Sequence, residues 1–68
     1  LTESTFQYFR TLVKQNTGIE LETHKKNMVR NRLLKRLRKL GLTDFESYAT
    51  FLKQNQTTEL PVFINCIT

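Results

Sequence analysis

The sequence predicts an all-α fold: one compact bundle of four short helices that spans residues 1–68. Its 68 residues include only two Gly and one Pro, which are the strongest helix breakers. Strictly alternating runs of β-branched residues, which would indicate strands, are absent. A chain of this length buries only about 60% of the surface that its unfolded form exposes. We therefore expect a modest core and no complete enzyme active site within these residues.

The first helix is predicted over residues 4–16. Ser4 and Gln7 have the spacing of a capping box at its start, and Gly18 stands where a residue of left-handed conformation ends a helix. The apolar residues of this segment recur on one face: Phe6, Phe9, Leu12 and Val13.

The second helix is predicted over residues 23–40, and Gly41 ends it. Ile19 and Leu21 are expected to hold the segment before it on the core. The helix start is expected to be capped by one of three residues: Glu20, Glu22 or Thr23.

The third helix is predicted to begin after Thr43 as its N-cap, because Glu46 follows at the spacing of a capping box. Residues 55–58, Asn-Gln-Thr-Thr, form a predicted polar loop. Thr58 would then cap a fourth helix with Pro61 in its first turn, where a missing N–H costs little. The inward-facing residues of these two helices are predicted to be Phe45, Tyr48, Phe51 and Leu52, followed by Phe63, Ile64 and Ile67.

The single cysteine, Cys66, cannot form an internal disulfide, and this favours a reducing, cytoplasmic location. We expect its thiol to be a small buried apolar group. Apolar stretches are only a few residues long and no export signal is visible, so membrane insertion is not expected. The fourth helix lacks a terminator, and we expect the sequence to continue beyond Thr68.

Positive charge is concentrated in the second helix. The chain has a net charge of +5, and residues 25–41 hold eight Lys or Arg and no carboxylate. At about 100° per residue, the apolar residues of this helix share one side, and Arg30 and Arg36 lie at its borders. The opposite side carries four cations: Arg32, Lys35, Arg38 and Lys39.

A charged outer face is common on surface helices, but such faces usually mix the two signs. Each pair of like charges within one turn costs about 0.2–0.5 kcal/mol, which a merely solubilising face would avoid. We therefore predict an anion-binding face formed by Arg32, Lys35, Arg36, Arg38 and Lys39.

Three kinds of anionic partner fit this face to different degrees. Duplex DNA is poorly supported, because Asn31 is the single polar residue suited to reading a base and the other helices carry few cations. A membrane surface would require bulky aromatic residues on this helix, which it lacks. Carboxylates on a partner helix fit better, since Arg offers planar bidentate forks.

No catalytic or metal-binding set is visible in the sequence. His24 has no Cys, Asp or second His at ligand spacing, and we expect it to be solvated or to cap a helix. Neither a Gly-rich phosphate loop nor a Ser/His/Asp set or a pair of carboxylates is present.

Several stretches together resemble the N-terminal helical domain of CheR-type chemoreceptor methyltransferases, and the resemblance covers nearly the whole chain. The stretches that carry it are "TGIEL", "HKKNMVRNRLLKRLRKLGL", "DFESYATFL" and "FIN". It implies an enzyme that transfers a methyl group from S-adenosylmethionine to Glu side chains on the cytoplasmic helices of chemoreceptors. In such enzymes a larger α/β domain, which is not present in this chain, holds most of the cofactor and catalytic site.

The resemblance further implies that this helical domain covers the catalytic site and that its basic helix faces the receptor. Arg32, Lys35 and Arg38 match the family's receptor-contacting cations. Three positions depart from the family pattern: Arg30, Lys35 and Pro61. Lys35 keeps the positive charge of the Arg that is common at this position in the family, but it lacks the planar guanidinium fork. The alternative hypothesis is a self-standing basic module that binds nucleic acid or a cyclic dinucleotide.

Overall fold

The computed structural model describes residues 1–68 and confirms the predicted all-α fold. The bundle measures 28 × 24 × 19 Å, and a single turn of 3₁₀ helix, Thr23–Lys25, precedes the second helix. The four α-helices are α1 (Glu3–Thr17), α2 (Lys26–Leu40), α3 (Phe45–Gln54) and α4 (Gln56–Ile67).

The helix starts differ from the predicted ones by one to a few residues. Thr2 caps α1 through its hydroxyl, which accepts a hydrogen bond of 3.2 Å from the N–H of Thr5. The predicted capping box of Ser4 and Gln7 is wrong, because Gln7 instead donates to Glu3 at 3.0 Å.

Asp44, and not Thr43, is the N-cap of α3. Its carboxylate accepts a hydrogen bond of 2.7 Å from the N–H of Ser47, and this bond lowers the pKa of Asp44. Both residues are good caps, but a carboxylate is the stronger acceptor at the positive end of a helix. The correction moves the start of α3 by one residue.

The predicted loop over residues 55–58 is also wrong, since α4 begins directly after Asn55. The carbonyl of Asn55 accepts bonds from the N–H groups of Thr58 and Glu59, at 3.2 and 2.8 Å. These bonds start α4 one turn earlier than predicted. Thr58 is therefore inside the helix, and Pro61 lies in the second turn, at an exposed position where water can reach the carbonyl that it leaves unpaired.

Gly18 and Gly41 end α1 and α2 as predicted, with φ angles of 76° and 75°. Leu21 is buried, as expected, whereas Ile19 is 52% exposed. Ile19 directly follows the left-handed Gly18, and its N–H is bonded to the hydroxyl of Thr17 at 3.0 Å, so its side chain stays outside the core.

No side chain caps α2, so the predicted cap is wrong. The carboxylate of Glu22 lies 3.1 Å from Nδ1 of His24, and Glu20 lies 3.6 Å from Nζ of Lys14. The turn Thr23–Lys25 replaces the first predicted turn of the helix. Helix termini often tighten in this way when no side-chain acceptor is available.

The core contains 14 buried residues from all four helices and from Leu21. The rings of Phe9, Tyr48 and Phe63 meet at its centre, with ring centroids 5.3–6.4 Å apart. Phe51 and Ile64 are half-buried at its edge, as is Cys66, which we had expected to be buried.

Candidate functional site

The apolar side of α2 fixes the direction of its charged side. Val29, Leu33 and Leu37 are 0–1% exposed and pack into the core. Because a helix is rigid, the residues on its opposite side must face outward. Arg32, Lys35, Arg38 and Lys39 are all exposed, in agreement with the helical wheel.

These four cations are not neutralised within the chain. The salt bridges of the structure involve other basic groups: Lys14, His24, Lys26 and Arg36. The outer face of α2 therefore presents unpaired positive charge. Its role in binding a partner stays a prediction.

Arg36 has a different environment, because its charge is paired inside the fold. Its Nε and Nη2 donate to the two carboxylate oxygens of Glu59 at 2.9 and 2.7 Å. The side chains of Arg36 and Glu59 are only 19% and 4% exposed. Tyr48 completes the cluster by donating its O–H to Glu59 at 2.7 Å.

The protonation states of this cluster follow from its contacts. The hydrogen bonds from Arg36 lower the pKa of Glu59, and the same bonds raise the pKa of Arg36. Burial and the neighbouring carboxylate raise the pKa of Tyr48. The cluster therefore holds an ionised pair beside a neutral phenol at neutral pH, and every buried polar side-chain atom has a partner.

Sequence reasoning did not identify Glu59. One signal was available, since Glu59 is the only charged residue in α4. A lone carboxylate in an apolar helix needs a partner when it is buried. Its partner lies 23 residues earlier in the chain, which no local pattern indicates.

Arg32 combines outward exposure with one contact to α4. Its Nη1 donates to the carbonyl of Ile67 at 2.7 Å. This hydrogen bond links the exposed side of α2 to α4 across 35 positions of the sequence.

A basic groove runs between α2 and α4. It is open to solvent and has a volume of about 310 Å³. Arg38 is not part of it. The residues that line it are Arg32, Lys35, Arg36, Lys39, Val62 and Cys66.

Burial raises the pKa of the Cys66 thiol in this groove. Its thiolate is therefore scarce at neutral pH, and the groove has no activated nucleophile. A second open groove of about 370 Å³ lies along α1, with lining groups of both signs and a single apolar residue. The basic groove is thus the stronger candidate for anion binding.

The structure contains no group of three His, Cys, Asp or Glu that could hold a metal ion. His24 lies exposed on the turn before α2, beside Glu22. None of the helices is long and apolar enough to span a bilayer.

The family model described as "CheR methyltransferase, all-alpha domain" matches residues 4–68. Similar proteins include the chemotaxis protein methyltransferases of Escherichia coli (strain K12), at 46% identity over 69 residues, and of Salmonella typhimurium (strain LT2), at 45%. That of Klebsiella aerogenes is 41% identical. Each alignment covers 100% of this chain but 24% of the relative, so the chain spans about a quarter of their length.

Proposed function

Because the chain belongs to the family of the CheR methyltransferase all-alpha domain, we propose that it recognises the substrate of an S-adenosylmethionine-dependent protein-glutamate O-methyltransferase. The substrates are chemotaxis receptors, and the domain also acts as a lid over the catalytic site. The observation that carries this proposal is the outward row of unpaired cations on α2: Arg32, Lys35, Arg38 and Lys39.

The chemistry of the substrate explains why such a row is useful. A glutamate that accepts a methyl group is a carboxylate, so cations on the enzyme favour its approach. Positions three residues apart on α2 are separated by about 4.5 Å along its axis, the same rise as on a partner helix. Arg32, Lys35 and Arg38 can therefore follow a row of carboxylates on that helix. Arg36 is less available for such contacts, because two of its N–H groups already bind the carboxylate of Glu59.

The residues of this chain do not fit S-adenosylmethionine. That molecule carries a sulfonium cation, which the cations lining the basic groove would repel. The groove along α1 offers one apolar lining residue, too few to enclose an adenine ring. We assign cofactor binding and methyl transfer to the part of the protein that this chain does not include, and we place the protein in the cytoplasm.

The proposal is tested by replacing Arg32, Lys35 and Arg38 together by Ala in the full-length protein. Three exposed ion pairs of about 0.5 kcal/mol each predict a loss of about tenfold in kcat/KM for receptor methylation. The affinity for S-adenosylmethionine, measured by calorimetry, should stay unchanged. Methylation at the wild-type rate in about 0.15 M salt would refute the proposal, because binding would then not depend on this face.

Two controls separate recognition from folding and from net charge. A Lys35→Ala and Arg38→Ala double variant keeps the bond from Arg32 to Ile67, so it should retain the wild-type thermal midpoint while losing part of the activity. A triple variant in which Lys14, Arg30 and Lys53 are replaced by Ala also loses three positive charges, but none of them belongs to the predicted receptor-contacting cations. It should methylate receptors at the wild-type rate.

A further inference from the structure

We propose that Glu59 and Tyr48 are positioning residues for substrate recognition, because through Arg36 they fix the rotation of α2 about its own axis. The proposal rests on the proposed function and deepens it, since it concerns how the outward cations are held in place. Glu59 and Tyr48 are both buried, so neither can contact a partner. Any part that they have in recognition must be exerted through Arg36.

The apolar seam of α2 does not fix this rotation by itself. Val29, Leu33 and Leu37 pack into the core through aliphatic side chains, and such contacts have no preferred direction. Aliphatic packing loses a unique arrangement before it loses stability. A small rotation of α2 against α4, the helix against which it mainly packs, would therefore cost little without a further constraint.

The pair of Arg36 and Glu59 supplies a directional constraint. Both carboxylate oxygens accept from the guanidinium, at 2.9 and 2.7 Å, and a bidentate pair fixes orientation as well as distance. Tyr48 of α3 donates to the same carboxylate at 2.7 Å, so Glu59 is not free to follow a movement of Arg36. The other polar links from α2 to α1 and α4 are single hydrogen bonds from the half-buried Lys26 and the exposed Arg32.

A modest rotation would be enough to misplace the cations. On the helical wheel, Arg36 lies about 40° from Arg32 and about 60° from Lys39, so the paired guanidinium and the outward row turn together. A rotation of about 20° moves a group about 5–6 Å from the helix axis by about 2 Å. Hydrogen bonds between N–H and oxygen tolerate a spread in length of only about 0.5 Å. Because flexible side chains recover part of this displacement, we expect recognition to weaken by a few-fold.

A cluster that served stability alone would behave differently. Replacing a buried ion pair by apolar side chains of similar size is often neutral or stabilising. The apolar variant combines Arg36→Met, Glu59→Leu and Tyr48→Phe. It keeps the net charge of the chain and leaves none of the three groups without its partner. If the cluster only stabilised the fold, this variant would methylate receptors as the wild type does.

The first test compares receptor methylation by full-length wild type and by the apolar variant, below the melting temperature of both. We expect the variant to melt no lower than the wild type, with KM for the receptor raised about threefold. The value of kcat should be unchanged, because the cluster does not contact reacting groups and removes only binding energy when it is lost.

A second variant, Glu59→Gln, separates positioning from direct contact by Arg36. It keeps every cation and releases the guanidinium, and it is assayed at a temperature where circular dichroism shows it to be folded. Loss of positioning raises KM for the receptor, by about threefold. If Arg36 instead bound the receptor directly, its release from Glu59 would strengthen binding and lower KM.

The rotation of α2 can also be measured directly, through the distance between two spin labels. Arg30 of α2 and Thr50 of α3 are exposed, and each is replaced by Cys and labelled in a full-length protein whose native cysteines, including Cys66, are replaced by Ser. Pulsed electron paramagnetic resonance should give a narrow distance distribution with the native cluster. In the apolar variant the distribution should shift or broaden by about 2 Å.

The outcomes separate the two proposals. Wild-type KM in both variants, an unchanged label distance in the apolar variant, or a lower KM in Glu59→Gln would overturn the positioning role. The proposed function would still stand if Ala at Arg32, Lys35 and Arg38 impairs methylation. If that Ala replacement has no effect, the proposed function fails and the positioning role fails with it.

Discussion

The buried pair of Arg36 and Glu59 gives the sharpest prediction about stability. We consider Glu59→Gln, which keeps the shape of the side chain and removes its charge. The carboxylate accepts three hydrogen bonds, two from Arg36 and one from Tyr48. An amide has a single acceptor oxygen, and its NH₂ group would face the donors of Arg36. At least one donor in this cluster must therefore lose its partner.

The magnitude follows from the burial of the two groups. Breaking a buried ion pair by removing one partner costs about 3–5 kcal/mol. The Arg36 side chain is 19% exposed and can turn partly toward water, so we expect the lower end, about 3 kcal/mol. A chain of this length has a total stability of about 3–10 kcal/mol. The melting temperature should fall by about 12–24 °C, since each kcal/mol shifts it by about 4–8 °C in so small a domain.

The assay is urea denaturation followed by circular dichroism of the helices. Glu46→Gln is the matched control, because Glu46 is an exposed carboxylate in the first turn of α3, and it should change the free energy of unfolding by less than about 0.5 kcal/mol. A double-mutant cycle that combines Glu59→Gln with Arg36→Met measures the coupling energy between these two side chains. A loss below about 1 kcal/mol for Glu59→Gln, or additive effects in the cycle, would refute the reasoning.

The remaining predictions concern single side chains. The pKa of Glu59 is lower in the folded chain than its unfolded value of about 4.3, so its stabilisation is present above that pH and is lost as the pH falls through the folded pKa. The difference in unfolding free energy between wild type and Glu59→Gln should therefore shrink in acid; a constant difference from pH 7 to 3 would contradict it. Asp44→Ala should lower the melting temperature and Thr43→Ala should not, since only Asp44 bonds to the start of α3; equal shifts would restore Thr43 as the cap. Gly41→Ala should cost about 1 kcal/mol in thermal denaturation, because its φ of 75° is unfavourable for a residue with a Cβ although no atom lies within 4 Å of that Cβ; a neutral result would be inconsistent with the left-handed conformation. Alkylation of Cys66 should reach half its maximal rate at a higher pH in the folded chain than in urea, because burial raises the pKa of its thiol; coincident profiles would count against burial.

The direction of the basic face could be predicted because it depends on one helix alone. The spacing of Val29, Leu33 and Leu37 places them on one side, and their burial then turns the cations outward. Gly18 and Gly41 were equally predictable, since a left-handed residue at a helix end is a local requirement. These features involve residues within one or two turns of each other.

Helix starts were less predictable, because several residues compete for the same role. Thr43 and Asp44 are both good caps, and the choice between them depends on which side chain reaches the free N–H of Ser47. Predicting α4 to start at Thr58 was reasonable locally, but the carbonyl of Asn55 accepts two N–H groups and starts the helix earlier. Local sequence narrows such a start to a few residues and leaves the final choice to hydrogen-bond geometry.

By itself the sequence determined the all-α class, the apolar seam of α2 and the outward position of Arg32, Lys35, Arg38 and Lys39, because helical periodicity is a short-range property. Only the tertiary structure decided that Arg36 pairs with Glu59, that Arg32 donates to the carbonyl of Ile67, and that Val62 and Cys66 face the cations across a groove. The ion pair and the hydrogen bond join residues that are 23 and 35 positions apart. Such contacts exist only once the core has packed α4 against α2, and no pattern within either helix contains that information.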